Sequence, residues 1–190
     1  MSMFTGHYDR AARQCTWDDR EVFPTVTPQW PWEIENAAIL VRNIQPHVVV
    51  EIGTQNGGSL RYWLQAAPPD ARVIVIDPNP LIDDIHDERI ELCRTLSNDP
   101  ATIAHVRDAG IDFLFIDGDH LYNGARADFD TYGPLVRPGG VIMLHDIATF
   151  GRGDCEVHRL WREIQAAGYV TQELLAFHYY AFGGIGVVYR

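Results

Sequence analysis

The sequence predicts an α/β fold of the doubly wound, Rossmann-like kind: a mostly parallel sheet of seven strands wrapped by helices, with an antiparallel hairpin strand at its end. Three observations predict it. The runs HVVVEIG (47–53), RVIVIDP (72–78) and DFLFID (112–117) have the length and continuity of strands buried on both faces. The segments between them carry apolar residues at three- and four-residue spacing, which is the helical period. Strand and helix then alternate through most of the chain, as in a parallel sheet built from crossover units.

Taken in order, residues 1–32 hold Trp17, Trp30 and Trp32 together with Pro24, Pro28 and Pro31 and show no sustained period. They are expected to form an irregular arm with one short helix, and 33–190 the core, the whole being one domain. In WEIENAAILVRNIQ, Ile34, Ala37, Ala38, Val41 and Ile44 fall on one helical face, and Pro46 stops the helix. Strand 47–53 ends in a glycine turn. GSLRYWLQAA (58–67) has Ser59 at its start and Leu60, Trp63 and Leu64 on one face, and closes at Pro68 and Pro69. Strand 72–78 follows, then a weaker one, RIELCRT (89–95). SNDPATIAHVRDAG (97–110) has a capping residue, Pro100 in the first turn and a terminal glycine. After strand 112–117, a helix from Tyr122 to Val136 carries Ala125, Phe129 and Tyr132 on one stripe. RPGG turns into the strand VIMLHD. DCEVHRLWREIQAAG (154–168) then spaces Val157, Leu160, Trp161 and Ile164 for burial, and strands near 169–177 and 184–190 close the chain as a hairpin whose antiparallel strand is expected at the sheet edge.

Composition narrows the function. With 46% hydrophobic and 22% charged residues over 190 positions, the chain has the profile of a soluble globular protein large enough to bury a substantial core. Its 26 acidic residues against 15 basic ones, a net charge of -11, repel phosphate backbones and anionic membranes, so no nucleic acid or membrane partner is expected and a small molecule is. Cys15, Cys93 and Cys155 lack metal-ligand spacing and read as reduced thiols. No apolar run approaches bilayer length, and a cytoplasmic location is expected.

In a doubly wound sheet, ligands bind beyond the carboxyl ends of the strands, where strand order reverses. The turn EIGTQNGGS follows the first core strand: Gly53 permits a sharp bend, Gly57 and Gly58 let a ligand approach the backbone, and the next helix offers free N–H groups. The second strand ends in Asp77, where a carboxylate can take both hydroxyls of a ribose. A tight turn and a strand cap would also explain these residues singly; the spacing joins them. Gln55 stands where a dinucleotide fingerprint has its second glycine, which leaves less room for a pyrophosphate. IDGDHLY (116–122) and VIMLHDI (141–147) are apolar runs ending in carboxylates and histidines. Neighbouring strands lie about 5 Å apart, so Asp117 and Asp119 are expected to converge with His145 and Asp146. Three crowded carboxylates call for a cation or proton between them, and Mg2+ is the simple choice.

Together, VVVEIGTQNGGS, VIVIDPNP, DFLFIDGDHLYNGARADFDTYGPLVRPGGVIMLHDI and GIGVVYR resemble the class I S-adenosylmethionine-dependent methyltransferases. The likeness is to the small-molecule O-methyltransferase branch that includes cephalosporin-hydroxylase-like and macrolide or catechol O-methyltransferase-like proteins, and it covers about 33–190. The resemblance implies that Glu51 and the turn residues Gly53, Thr54, Asn56, Gly57 and Ser59 hold the methionine end of the cofactor, that Asp77 holds the ribose, and that Ser97, with Asn98 beside it, contacts the adenine. Ser97 reads equally as a helix cap. Asp117 belongs to both the cofactor set and the metal set. The ion of metal-dependent relatives implies Asp117, His145 and Asp146 as ligands, although two acidic or amide residues are usual where His145 and Asp146 stand. His145 either binds a softer ion such as Mn2+ or Fe2+ or acts as a base. Asp119 and His120 fall where relatives keep the base, which takes the acceptor's proton; His120 at a helix start also reads as satisfying backbone groups.

The expected reaction is thus S-adenosylmethionine-dependent methylation of a small hydroxylated metabolite, assisted by a divalent ion or by histidine alone. A nucleotide-dependent oxidoreductase is disfavoured by Gln55 and by the lack of a tyrosine and lysine pair at catalytic spacing. A non-catalytic cofactor binder would not need the Asp117, Asp119, His120, His145 and Asp146 cluster. The tryptophans of the arm serve either as a lid, with the loop ATFGRGD, or as packing, and an aromatic arm suits a homo-oligomer contact.

Overall fold

Where the chain crosses over decides where a ligand can sit. A computed structural model describes residues 7–9, 14–17, 21–24, 29–148, 153–175 and 183–190, the first three stretches by their backbone course. Strands β1 (His7–Asp9), β2 (Gln14–Trp17) and β3 (Glu21–Pro24) pair antiparallel in a small sheet of their own. The irregular arm predicted for 1–32 thus contains strands, and no helix lies among its described residues before Pro31. Strands of three or four residues are too short to register a two-residue alternation in the sequence, which is why the pattern there looked aperiodic.

The core begins with α1 (Pro31–Ile44), whose Pro31 fills a first-turn position where no N–H is needed. From β4 (Val48–Ile52) the chain moves outward through α2 (Gly58–Ala66), β5 (Arg72–Ile76) and β6 (Ile90–Cys93). Helix α3 (Pro100–Ala109), capped by Asp99, which accepts the Thr102 N–H at 2.8 Å, carries it back to the far side of β4. There β7 (Ile111–Ile116) leads through α4 (Tyr122–Tyr132) to β8 (Val136–His145) and α5 (Val157–Ala166), then β9 (Val170–Leu174) and β10 (Ile185–Tyr189). The sheet order is β6-β5-β4-β7-β8-β10-β9. Strand order therefore reverses between β4 and β7, which pair in parallel.

One detail differs from expectation. The antiparallel strand, β10, is not at the edge: it inserts between β8 and β9, pairing antiparallel with both, so that the edge strand β9 runs parallel to the rest. The burial pattern explains the choice. Ile185, Val187 and Val188 are fully buried, whereas Val170 is 69% exposed, so the apolar strand takes the inner place.

Alternate residues of the strands face two separate layers. Val49, Val73, Val75, Phe113, Phe115 and Met143 pack under α1 and α2, and Val50, Ile52, Ile74, Leu114, Ile116 and Leu144 pack under the helices of the other face. Trp63 of α2 wedges between Phe113 and Phe115, each ring centroid 4.9 Å away in an edge-on arrangement. Among the described residues no helix is long and apolar enough to cross a membrane.

Truncating a side chain at the centre of this packing should be costly and truncating an exposed one should not. Phe113→Ala is expected to lower stability by about 3–5 kcal/mol, against roughly 0.5 kcal/mol or less for Leu81→Ala, whose side chain is 70% exposed. Equal urea midpoints for the two variants would contradict the assignment of this core.

Candidate active site

The cleft opens at the carboxyl ends of β4 and β7, where strand order reverses, and encloses about 870 Å³. Its floor is the turn after β4. Gly53 adopts φ +81° there, and a Cβ at this position would lie 2.3 Å from the Asp117 carbonyl oxygen, so only glycine lets the two strand ends close together. Asp77, at the end of β5, holds the turn in place: its Oδ2 accepts the N–H groups of Thr54 and Gln55, both at 2.9 Å, and its Oδ1 accepts that of Asn79 at 2.8 Å. Those bonds explain how Gln55 keeps a left-handed φ of 47°. Asp77 also lines the cleft.

Beyond the turn, side chains from β7 and β8 meet. Asp117 Oδ1 lies 3.1 Å from His145 Nδ1, and its Oδ2 accepts the Gln29 amide N–H at 2.6 Å. His145 Nδ1 is also 3.6 Å from Asp146 Oδ2, and the same oxygen is 2.9 Å from His120 Nδ1. Asp146 reaches both histidines from a left-handed backbone with φ 62°, unusual for a residue with a side chain. The result is a row of alternating charge type: Asp117, His145, Asp146, His120. Burial by itself pulls the His145 imidazole down, but the Asp117 charge and hydrogen bond, helped by Asp146, outweigh it and raise its pKa from 6.5 to about 9. The hydrogen bond to Asp146 raises His120 in the same way.

The sequence-predicted residues are distributed unevenly over this site. Gly53, Thr54, Asn56, Ser59, Asp77, Ser97, Asp117, Asp119, His120, His145 and Asp146 all line the cleft. Glu51 and Gly57 lie behind its wall. Glu51 faces the α2 layer, where its Oε1 accepts the Ser59 hydroxyl at 2.6 Å and the Trp63 indole N–H at 3.0 Å, and burial pushes its pKa up to about 7. Gly57 is small because Ile85 and Ile82 press on it, 2.4 and 2.9 Å from where a Cβ would stand, and not because a ligand does. Ser59, expected at a helix start, is committed to Glu51; Gly57 takes the capping position.

Asp119 does not join the row. Its Oδ1 accepts the Leu121 N–H at 2.9 Å and its carboxylate folds over Gly124, the local turn chemistry of an aspartate just before a helix. Ser97 does have an acidic partner, which the sequence did not reveal: Asp128 of α4, hydrogen-bonded to Ser97 and raised by burial to about 6. Gln29, only 3% exposed, was also missed, as was Cys155 in the cleft wall. Nothing periodic marks these residues, because each enters the site through contacts distant in the chain. Trp32 is half exposed, which is uneconomical for pure packing, whereas Trp17 and residues 149–152 of the loop ATFGRGD lie outside the residues whose side chains are described.

The donor chemistry of Asp117, His145 and Asp146 fits a divalent ion: one ligand atom from each falls within 4.8 Å of the others, and the buried His145 Nε2 has no hydrogen-bond partner among the described residues. Among the described residues six aspartates line the cleft (Asp77, Asp117, Asp119, Asp128, Asp146 and Asp154), and no arginine does. The excess of carboxylates disfavours a pyrophosphate there and draws a cation in.

Residues 50–147 match a family described as a methyltransferase domain. An uncharacterized protein of Acanthamoeba polyphaga mimivirus is 36% identical over 111 residues, which cover 51% of this chain and 50% of that protein. The match thus spans about half the length of that relative. Among solved structures, the O-methyltransferase from Bacillus cereus in complex with S-adenosylhomocysteine aligns with a TM-score of 0.65 at 19% identity, covering 87% of this chain and 84% of its own. The MycE methyltransferase of the mycinamycin biosynthetic pathway, in complex with Mg, S-adenosylhomocysteine and mycinamycin VI, aligns with a TM-score of 0.58 at 22% identity, covering 82% of this chain and 47% of its own. At these identities the likeness to solved structures establishes the fold.

The charge row makes stability depend on pH. Below pH 6.5 the His145 imidazole is protonated in the folded and the unfolded chain, and the stabilisation from Asp117 is complete; between 6.5 and about 9 the unfolded chain releases the proton while the folded chain keeps it, so stability falls as pH rises. Glu51 adds a fall of the same sign from 4.5 to about 7. Urea midpoints should therefore decline between pH 7 and pH 9, and the decline should flatten in His145→Gln. Parallel curves for the two proteins would contradict this reading of the row.

Proposed function

Since the chain belongs to the methyltransferase-domain family that matches residues 50–147, we propose that it is an enzyme transferring the methyl group of S-adenosylmethionine to a hydroxyl group of a small metabolite. The observation that carries this reading is the charge of the cleft. A ligand site at the reversal of a doubly wound sheet takes nucleoside-bearing cofactors, and the described lining of this one has six aspartates. That suits a sulfonium cation and opposes a dinucleotide. The chain also contains no lysine at all among its 15 basic residues, which removes the tyrosine and lysine chemistry of the oxidoreductase alternative. The Bacillus cereus protein of this fold binds S-adenosylhomocysteine, and MycE binds it with Mg; both support the cofactor assignment.

Within this reading Asp77 takes the ribose, Ser97 and Asn98 border the adenine, and the turn from Gly53 to Ser59 receives the methionine end. The methyl group then faces the row of Asp117, His145, Asp146 and His120. Methyl transfer is an in-line displacement, so the protein's tasks are to align the acceptor oxygen and to remove its proton. His120 suits the second task. Asp146 accepts from its Nδ1 at 2.9 Å, which leaves Nε2 as the basic nitrogen and steadies the ring when it takes the proton, the division of labour seen wherever a carboxylate orients a histidine. His145, buried between Asp117 and Asp146, balances their charge and is a poorer base. Asp119 orients the chain at the start of α4 and contributes through position. Asp117, His145 and Asp146 would hold a divalent ion such as Mg2+ or Mn2+, which when bound supplies positive charge for the acceptor oxygen.

Calorimetric titration with S-adenosylhomocysteine tests the cofactor assignment without knowledge of the acceptor. Binding is expected, and Asp77→Ala should weaken it roughly tenfold or more, since hydrogen bonds to a charged group are worth about 1.5–3 kcal/mol. Absence of binding at millimolar ligand, or binding of NAD in its place, would rule the proposal out.

A further inference from the structure

We propose that His120, Asp146 and Cys155 form a binding site for one divalent transition-metal ion of the Zn2+ or Fe2+ type, separate from the Asp117, His145 and Asp146 set and sharing only Asp146 with it. One ligand atom from each of the three residues lies within 4.8 Å of the other two. Donors around a tetrahedral ion, at roughly 2.0–2.3 Å from it, stand about 3–4 Å from one another, so a small side-chain rotation completes the site.

The backbone holds these residues together from two sides. The Glu156 N–H donates to the His120 carbonyl at 2.7 Å, and the Tyr122 N–H donates to Glu156 Oε2 at 3.1 Å, which fixes Cys155 beside His120 although they are far apart in sequence. Asp146 is held between the end of β8 and the turn that follows it, where the Ala148 N–H donates to the Gly183 carbonyl at 2.9 Å. Cys155 is 4% exposed, yet it lines the cleft with His120 and Asp146. Three protein ligands with the fourth position facing a cleft is the arrangement of zinc sites that bind an exchangeable water or substrate atom, as opposed to closed structural ones.

The donor set also selects the ion. Mg2+ takes oxygen ligands, whereas a thiolate, an imidazole and a carboxylate together favour zinc, iron and cobalt. The aspartates of the cleft raise the local concentration of any divalent cation. An ion here takes the place of the proton shared by His120 and Asp146, so that His120 serves either as ligand or as proton acceptor, never as both. The site is independent of the methyl donor and is measured without it.

Co2+ reports directly on a sulfur ligand through a thiolate-to-metal charge-transfer band in the near ultraviolet. Titrating the full chain with Co2+ should give that band at one equivalent, and Zn2+ should abolish it by displacement. Cys155→Ser should remove the band, and both it and His120→Gln should weaken Co2+ binding by at least about tenfold, as loss of even an indirect ligand contact does. Asp117→Asn and Cys93→Ser should leave the band intact. His120 is half exposed, so its substitution keeps the fold even if that of the buried cysteine does not. No band in the unaltered protein, a band that persists in Cys155→Ser, or one lost in Asp117→Asn would overturn the assignment.

Discussion

The site depends on one close approach, that of Gly53 to Asp117. Strands β4 and β7 start apart in sequence and become neighbours because the chain returns through α3 to the opposite side of β4. Their ends are then tied by the Asp117 N–H, which donates to the Ile52 carbonyl at 2.9 Å, while the Gly53 N–H donates to the Ile76 carbonyl at the end of β5, also at 2.9 Å, and joins that strand to the same turn. With a side chain at residue 53 these bonds and the turn held by Asp77 could not coexist, because the Cβ would overlap the Asp117 carbonyl. One residue without a side chain therefore fixes the floor of the cleft and the position of its first carboxylate. The same closure brings Asp117 within reach of Gln29 on one side and His145 on the other.

Gathering carboxylates at the end of a buried sheet raises a charge problem, and the alternating row answers it. An isolated buried carboxylate is expensive, and a pair of them more so. Placing His145 between Asp117 and Asp146, and His120 beyond Asp146, gives each carboxylate an imidazole partner. The arrangement has a chemical consequence. The inner histidine is held protonated by two neighbours, while the outer one has a single carboxylate and access to the cleft, so two residues of one type acquire different tasks from their surroundings. The left-handed backbone of Asp146 is the local strain that makes the double contact possible.

Much of this was legible in the sequence, and what was not has physical reasons. The apolar runs ending in Asp77, Asp117 and His145 marked the strands and the side on which they finish, because a strand buried on both sides places most of its polar residues at its end; Glu51, buried inside β4 against Ser59 and Trp63, is the exception. The convergence of Asp117, His145 and Asp146 followed from the adjacency of two strands. Asp119 was drawn instead to the backbone of its own turn, a local hydrogen bond that outcompetes a distant partner. Gln29, Asp128 and Cys155 left no trace, since a contact such as that between Gln29 and Asp117, 88 residues apart, has no period to read. The inner position of β10 was equally hidden: sequence shows a hairpin, but which of its strands is buried is settled by packing against β8.

The claim at the centre is that the cleft holds S-adenosylmethionine with its reacting end against the row of aspartates and histidines. A crystal structure of the complex with S-adenosylhomocysteine measures this most directly. The ribose hydroxyls should lie on Asp77, the adenine beside Ser97, and the sulfur toward Asp146 and His120. A ligand bound outside the cleft, or lying in it with the adenine against His120 and the sulfur remote from it, would contradict the account.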